Sequence, residues 1–265
     1  MTVSTTIVMI LIGIFTGIVI GLTGASGVMV VVPLVSMFLN FSIHESIGTS
    51  LMVDIIAPLA ISYTYYKHGN VDIKSGIWIA IGSVFGAQLG ATFATGMPEV
   101  GLGGAFGVFL AIMGVVIWKR GLNHASTEKS RKKVVKFETQ TQKIWVALIL
   151  GFAVGLMTGI LGAGGGGVVL LILIFVLNFP LHIAIGTSSL IMAITACSGT
   201  IGYALHGNIR PLAGLILGFS AAGSGMASAR FANRVNEQIL AKAVGIIFII
   251  LGIIMSWIQF VSAID

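Results

Sequence analysis

The residues of this chain that could do chemistry come in matched pairs. Gly48-Thr49-Ser50 returns as Gly186-Thr187-Ser188, and His68-Gly69-Asn70 returns as His206-Gly207-Asn208. The separation is constant: 186 − 48 and 206 − 68 both give 138. The same offset pairs His44 with His182 and Leu39-Asn40-Phe41 with Leu177-Asn178-Phe179. It also pairs two glycine-rich stretches, one containing Gly24, Ala25, Ser26 and Gly27, the other Gly162, Ala163, Gly164 and Gly165. Apolar composition alone could align leucine with isoleucine, but it would not align histidine, asparagine and threonine. The chain therefore contains one unit twice.

Each pair suggests a chemistry and has a plainer reading beside it. Glycine permits positive φ and close backbone approach. A helix that starts just after a glycine-rich break turns several unpaired N–H groups toward one point, and its dipole favours an anion there. The plainer reading is close helix packing, for which membrane interfaces also select small residues. Thr49, Ser50, Thr187 and Ser188 could hydrogen-bond a substrate or cap the helix they begin. His44 and His182 sit at the preceding joint, where a histidine can titrate, donate to a substrate or satisfy a turn. His68 with Asn70, and His206 with Asn208, close the following long helix, an ordinary place for a glycine-centred cap. Asp54 stands apart. Its repeat counterpart is Met192, and an acid at this depth in an apolar segment suits a gating or proton-linked role. Gln88, also within an apolar segment, suits a hydrogen bond between helices.

The elements that position these residues follow from composition. Hydrophobic residues make up 57% of the 265 and charged residues 8%, against about a quarter charged in a soluble domain; the mean hydropathy is +1.08. Several apolar stretches reach about 18 residues, enough to cross roughly 30 Å of hydrocarbon. They are continuous, which excludes an alternating barrel strand and leaves helices. The fold class is thus all-α, a polytopic helical membrane protein of two homologous repeats. The first repeat predicts helices near 6–22, 28–39, 46–66, 75–95 and 99–118, the second near 144–160, 167–178, 184–205, 211–231 and 237–259. The second helix of each unit is too short to span, so each glycine-rich pair reads as broken or re-entrant. Met1–Leu22 has no basic leader and has a mid-chain counterpart, so it reads as a helix of the repeat rather than a signal peptide.

The domains are 1–118, a basic linker 119–143, and 144–265. Of fourteen lysines and arginines, eight lie in that linker. The net charge of +6 is therefore read as a topology signal, with an acidic-lipid or partner patch as the alternative, and not as a nucleic-acid surface. With the linker cytoplasmic, an odd number of crossings per unit also puts Lys67, Lys74, Arg230 and Arg234 inside. That makes the units inverted, a recurring transporter plan with its substrate near the midplane.

Other chemistries find little support. No Gly-Lys-Ser/Thr follows the glycines, and no His-Glu-x-x-His is present. Cys197 is the only cysteine, so there is neither an internal disulfide nor a cysteine metal cluster. An aspartyl protease would need a second mid-span acid beside Asp54. A serine protease would need Ser26 at the depth of His68 or His206. No cofactor and no metal are expected. The chain is read as a transporter and not an enzyme, with a channel or a partner subunit sharing the same topology.

Together, the paired glycine segments, the two Gly-Thr-Ser motifs and the two His-Gly-Asn motifs resemble the TauE/SafE family of sulfite and organosulfonate exporters over essentially the whole chain. The resemblance implies a secondary transporter, an exporter of small sulfur-containing anions such as sulfite, sulfoacetate or thiosulfate, in the cytoplasmic membrane. Its partners would be that anion and the lipid bilayer, with no nucleic acid, and two chains could pair as a homodimer. The first unit departs from the glycine pattern at Ser26 and Val28, where the second has Gly164 and Gly166.

Overall fold

The computed structural model describes residues 3–23, 26–122, 140–162, 165–177, 179, 181–231 and 237–261. They form ten helices: α1 (Val3–Thr23), α2 (Val28–Leu39), α3 (Ile43–Lys67), α4 (Ile73–Thr95), α5 (Glu99–Leu122), α6 (Gln140–Leu161), α7 (Gly165–Phe175), α8 (Leu181–Leu205), α9 (Pro211–Phe231) and α10 (Glu237–Val261). Among them, seven are long and apolar enough to cross a membrane. Most of the linker, residues 123–139, and Arg234 lie outside the described residues.

The helix ends have local causes. Helix α3 starts three residues earlier than its apolar pattern predicts because Ser42 and Glu45 form a capping box, each side chain bonding the other's backbone N–H. Helix α7 stops earlier, at Phe175, because the amides of Leu177 and Phe179 return to Ile172 and Leu173 in a turn. Helix α2 ends on Asn40, which takes the left-handed conformation (φ 52°). At twelve residues α2 is about 18 Å long, roughly half a bilayer.

Small residues decide which helices meet. Gly13, Gly17 and Gly21 of α1 lie against Leu217, Ala221 and Gly225 of α9. Gly151, Gly155 and Gly159 of α6 lie against Ile79, Ser83 and Ala87 of α4. In both ladders the numbers rise together, so the helices are parallel, with spacing of four residues bringing one face into contact. The closest pairs thus cross between the two segments: the first helix of one packs on the fourth of the other.

At the centre, α3 and α8 run antiparallel. Gly48, near the start of α3, lies against Tyr203 and the Asn208 carbonyl; Gly186, near the start of α8, lies against Tyr65 and the Asn70 carbonyl. Gly107 of α5 faces Gly252 of α10 and Gly114 faces Gly245, again antiparallel. Each of these contacts has its counterpart at the 138-residue offset.

These directions also sort the charges. Lys67, Lys74, Lys119, Lys143, Arg230 and Lys242 fall toward one end of the bundle. At the other end Arg210 pairs with Glu45 at 2.8 Å and lies over the Phe41 ring. The flanks carry exposed Phe15, Phe85, Phe93, Phe219 and Trp257, a surface suited to lipid and not to water.

Candidate functional site

The break after α1 turns the chain back into the bundle. Gly27, the N-cap of α2, is packed among Thr16 and Ile20 of α1 and Asp54 of α3. Asp54 lies near the middle of α3 and is 1% exposed. The start of α2 is therefore at mid-depth, not at a membrane face.

Glycine offers no side chain to cap its helix, and Asp54 supplies the cap from another helix. The Gly27 amide donates to Asp54 Oδ1 at 2.9 Å. The Ser26 hydroxyl donates to Asp54 Oδ2 and accepts from the Val28 amide at 3.3 Å. A carboxyl group thus sits at a helix start, where aligned amides stabilise negative charge. Pro58 has no N–H to return to the Asp54 carbonyl four residues before it, so α3 loses a backbone bond at this level.

The second break meets the first. Gly162 follows α6 with φ +69°, a conformation glycine adopts without strain. A Cβ there would lie 2.9 Å from both Val28 Cγ1 and Ile47 Cγ2. The end of α6 is therefore pressed onto the starts of α2 and α3. Gly165 opens α7. Gly24, Ala25, Ala163 and Gly164 lie outside the described residues. Met192, the counterpart of Asp54, is buried.

The hydroxyl motifs bind turns of the opposite unit. Thr49 Oγ1 accepts from the Arg210 amide at 3.0 Å, and Thr187 Oγ1 accepts from the Asp72 amide at 2.9 Å. Positions 72 and 210 are themselves 138 apart, so these are two copies of one contact. Ser50 and Ser188 donate within their own helices, to Ile47 and Ile185 carbonyls.

The His-Gly-Asn motifs close α3 and α8. The amides of His68, Gly69 and Asn70 return to Tyr65 and Tyr66, and those of His206, Gly207 and Asn208 to Tyr203 and Ala204. Gly69 and Gly207 take φ of 71° and 73°. His68 Nδ1 and His206 Nδ1 bond the Thr64 and Gly202 carbonyls of their own helices. Neither histidine approaches Ser26, whose hydroxyl is committed to Asp54, so the serine–histidine pair of a protease is not formed. His44 donates through Nε2 to the Ala94 carbonyl at 3.0 Å and lies 3.6 Å from Glu99 through Nδ1. His182 is the second residue of α8; its side chain lies outside what is described. Gln88 lies against Gly202 of α8. Among the described residues no group of three His, Cys, Asp or Glu could hold a metal.

The sequence gives little sign of three further polar contacts. Ser83 of α4 and Thr195 of α8 share a buried hydroxyl hydrogen bond of 2.6 Å. Ser198 donates to the Val84 carbonyl. Tyr203 donates to Ile160, two residues before Gly162. A lone hydroxyl in an apolar helix marks none of these until its partner helix is known.

The comparisons agree with this architecture. The profile of the family described as "Sulfite exporter TauE/SafE" matches residues 9–255. The chain is 24% identical over 261 residues to "Probable membrane transporter protein YunE" of Bacillus subtilis (strain 168), covering 93% of this chain and 95% of the relative. It is 27% identical over 249 residues to "Probable membrane transporter protein YdhB" of the same organism, covering 90% and 95%. No solved structure matches. With seven candidate spans among its described helices and a family match over nearly its whole length, the chain is a multi-pass protein of the cell membrane and belongs to the TauE/SafE sulfite exporter family.

Proposed function

We propose that the chain is a secondary transporter that exports a small sulfur-containing anion, such as sulfite, sulfoacetate or thiosulfate, and binds it between two inverted units where the glycine breaks meet. The observation that carries this reading is the packing of Gly162 on Val28. It brings the start of the second break against the helix start that follows the first. The first break also illustrates the chemistry: two donors, the Gly27 amide and the Ser26 hydroxyl, hold the two oxygens of a carboxyl group. The second break has Met192 in the place of Asp54 and so brings no carboxyl group of its own from that position. Donors that are dipoles and not cations would hold an anion weakly enough to release it.

Inversion is supported by the antiparallel course of α3 and α8, which are counterparts at the 138-residue offset. The cations gathered at one end support a cytoplasmic placement of that end by the positive-inside rule. Thr49 and Thr187 belong to this reading as the residues that fix how the two units cross, each holding a turn of the other. Gly24, Ala25, Ser26, Gly27, Gly162, Ala163, Gly164 and Gly165 form the proposed binding region, with Ser50 and Ser188 in the helices beside it. His44, His182, His68, Asn70, His206 and Asn208 shape the two ends.

The test is flux through purified protein in liposomes. Sulfite, sulfoacetate or thiosulfate is expected to move saturably, and the same anion to raise the thermal midpoint of the protein in proportion to the logarithm of its concentration. Protein that is folded and inserted but neither moves nor is stabilised by any of the three refutes the reading. Flux that does not saturate identifies a channel instead.

A further inference from the structure

Asp54 is an unusual acid for its surroundings. It lies near the middle of a membrane-crossing helix, and no cation among the described residues pairs with it. Helices α1 and α2, which close over it, carry no titratable side chain. Helix α9 carries only Arg230, in its last turn. Helix α8 carries His182, Cys197 and Tyr203; Cys197 is exposed, and His206, just past the helix, bonds the Gly202 carbonyl at its end. Among the described residues, the Ser26 hydroxyl and the Gly27 amide donate to this carboxylate in place of water. Such groups in membranes pair, or they exchange a proton as part of their work.

Its partners give each protonation state a structural consequence. Ionised, both oxygens accept, and the carboxylate ties the start of α2 to the middle of α3. Protonated on Oδ2, the group becomes a donor there, so Ser26 must turn from donor to acceptor. Ser26 Oγ also accepts from Val28, so reorienting the hydroxyl acts on the first amide of α2, which must share the oxygen with the new donor. The attraction between the helix start and a negative charge is lost at the same time. The α3 backbone is weakened at this level by Pro58, so the change falls where the helix can yield. The second unit has Met192 and Ala196 in the places of Asp54 and Pro58, which confines the device to the first.

We propose that Asp54 binds one proton with each substrate anion, and that this proton loosens the start of α2 so that the loaded site can change the face it opens to. This rests on the anion site proposed above. A second negative charge at the meeting of the breaks disfavours an ionised Asp54, so anion and proton bind together. The proton comes from the water that the open face admits, bonds to Oδ2, and leaves from Oδ2 to the opposite face when Ser26 resumes donating. Anion and proton then cross in a one-to-one ratio.

The experiment compares wild type with Asp54→Asn and Asp54→Glu in liposomes loaded with sulfite, with and without an imposed pH gradient. In wild type the anion ratio at steady state is expected to change about tenfold per pH unit, the limit for one proton per anion. In Asp54→Asn the response is expected to vanish, and Asp54→Glu is expected to restore it in part. Infrared difference spectra on acidification should show a carboxylic acid C=O band that Asp54→Asn removes. If Asp54→Asn does not fold, Ser26→Ala replaces it: loss of a donor to the carboxylate should move the midpoint of pH-dependent flux upward. Wild-type exchange that ignores the pH gradient overturns the proton role and leaves the anion site standing. An Asp54→Asn protein that still responds, a spectrum without the band, or an unmoved midpoint in Ser26→Ala also overturns it. Wild type that moves no sulfite at all refutes the anion site itself, and the coupling with it.

Discussion

Thr49→Val separates two roles for the same hydroxyl. Valine has nearly the shape of threonine, so the fully buried pocket at position 49 stays filled. What disappears is the acceptor for the Arg210 amide, 3.0 Å away. The bond is part-buried and Arg210 itself is exposed, so its loss costs about the net value of one hydrogen bond, roughly 0.5–1.5 kcal/mol. If the loss falls on the turn that ends at Arg210, its opening equilibrium rises roughly 2- to 13-fold, at about 1.36 kcal/mol per tenfold. Hydrogen exchange of protein in lipid nanodiscs should therefore show faster exchange at the Arg210 amide, while amides within α1 keep their protection. Ser50→Ala is the control. Its hydroxyl donates to a carbonyl of its own helix at 2.8 Å, so its loss should leave Arg210 untouched. Anion-dependent stabilisation should survive Thr49→Val once the lower starting stability is allowed for. If Arg210 protection is unchanged while stabilisation by the anion is lost, the hydroxyl meets a ligand and the crossing argument is wrong.

Two further predictions concern the frame. A Cβ at Gly155 would overlap the Ser83 carbonyl, whereas one at Gly223 meets nothing within 4 Å. Gly155→Ala should cost about 1–3 kcal/mol by forcing α4 and α6 apart, and Gly223→Ala should be neutral or gain up to about 1 kcal/mol; equal midpoints in denaturant titrations of the two variants would contradict the packing. Ser62 and Thr200 occupy equivalent positions, but Ser62 donates to the Gly186 carbonyl at 3.0 Å while the buried Thr200 hydroxyl has no partner. Ser62→Ala should then lower stability by about 1 kcal/mol and Thr200→Val should leave it equal or higher; unfolding shifts of the same sign would show that the two units bury these hydroxyls alike.

Much of the frame was legible because it depends on periodicity and composition. The short helix after each break, the left-handed glycines at positions 69 and 207, and the segregation of the cations follow from residue types and spacing. The start of α3 was legible too, in the Ser42-x-x-Glu45 box, which the apolar pattern alone overlooks. The site was less so. Ser26 and Asp54 are 28 residues apart, and nothing in either local sequence says that a hydroxyl and a carboxyl share an interior. The glycine ladders at 13, 17, 21 and at 151, 155, 159 announce a close contact but not its partner. Both choose a helix of the other unit, and that choice depends on three-dimensional packing. The Gly-Thr-Ser motifs show the limit most clearly. Their repetition marks them as important, yet a hydroxyl that binds a ligand and one that binds a distant turn have the same sequence. Only the amides of Asp72 and Arg210, each in the other unit's environment, distinguish the two.

The pairing of equivalent contacts constrains where an energetic difference between the two ends can reside. Thr49 on Arg210 and Thr187 on Asp72 are one contact made twice, as are Gly48 on Asn208 and Gly186 on Asn70. Under the proposed inversion, contributions of this kind are alike for both units and cancel when one opening direction is compared with the other. What remains are the positions where the units differ. Asp54 and Pro58 have Met192 and Ala196 as counterparts, and the Glu45–Arg210 pair has Ile183 and Asp72. The ion pair is half-exposed at one end, where solvent screens it to roughly 0–1 kcal/mol. The carboxyl group is buried, has no cation beside it among the described residues, and caps the start of α2. Of these two differences, the buried carboxyl group is the less screened, and under the proposed coupling it is the one on which the surrounding pH would act.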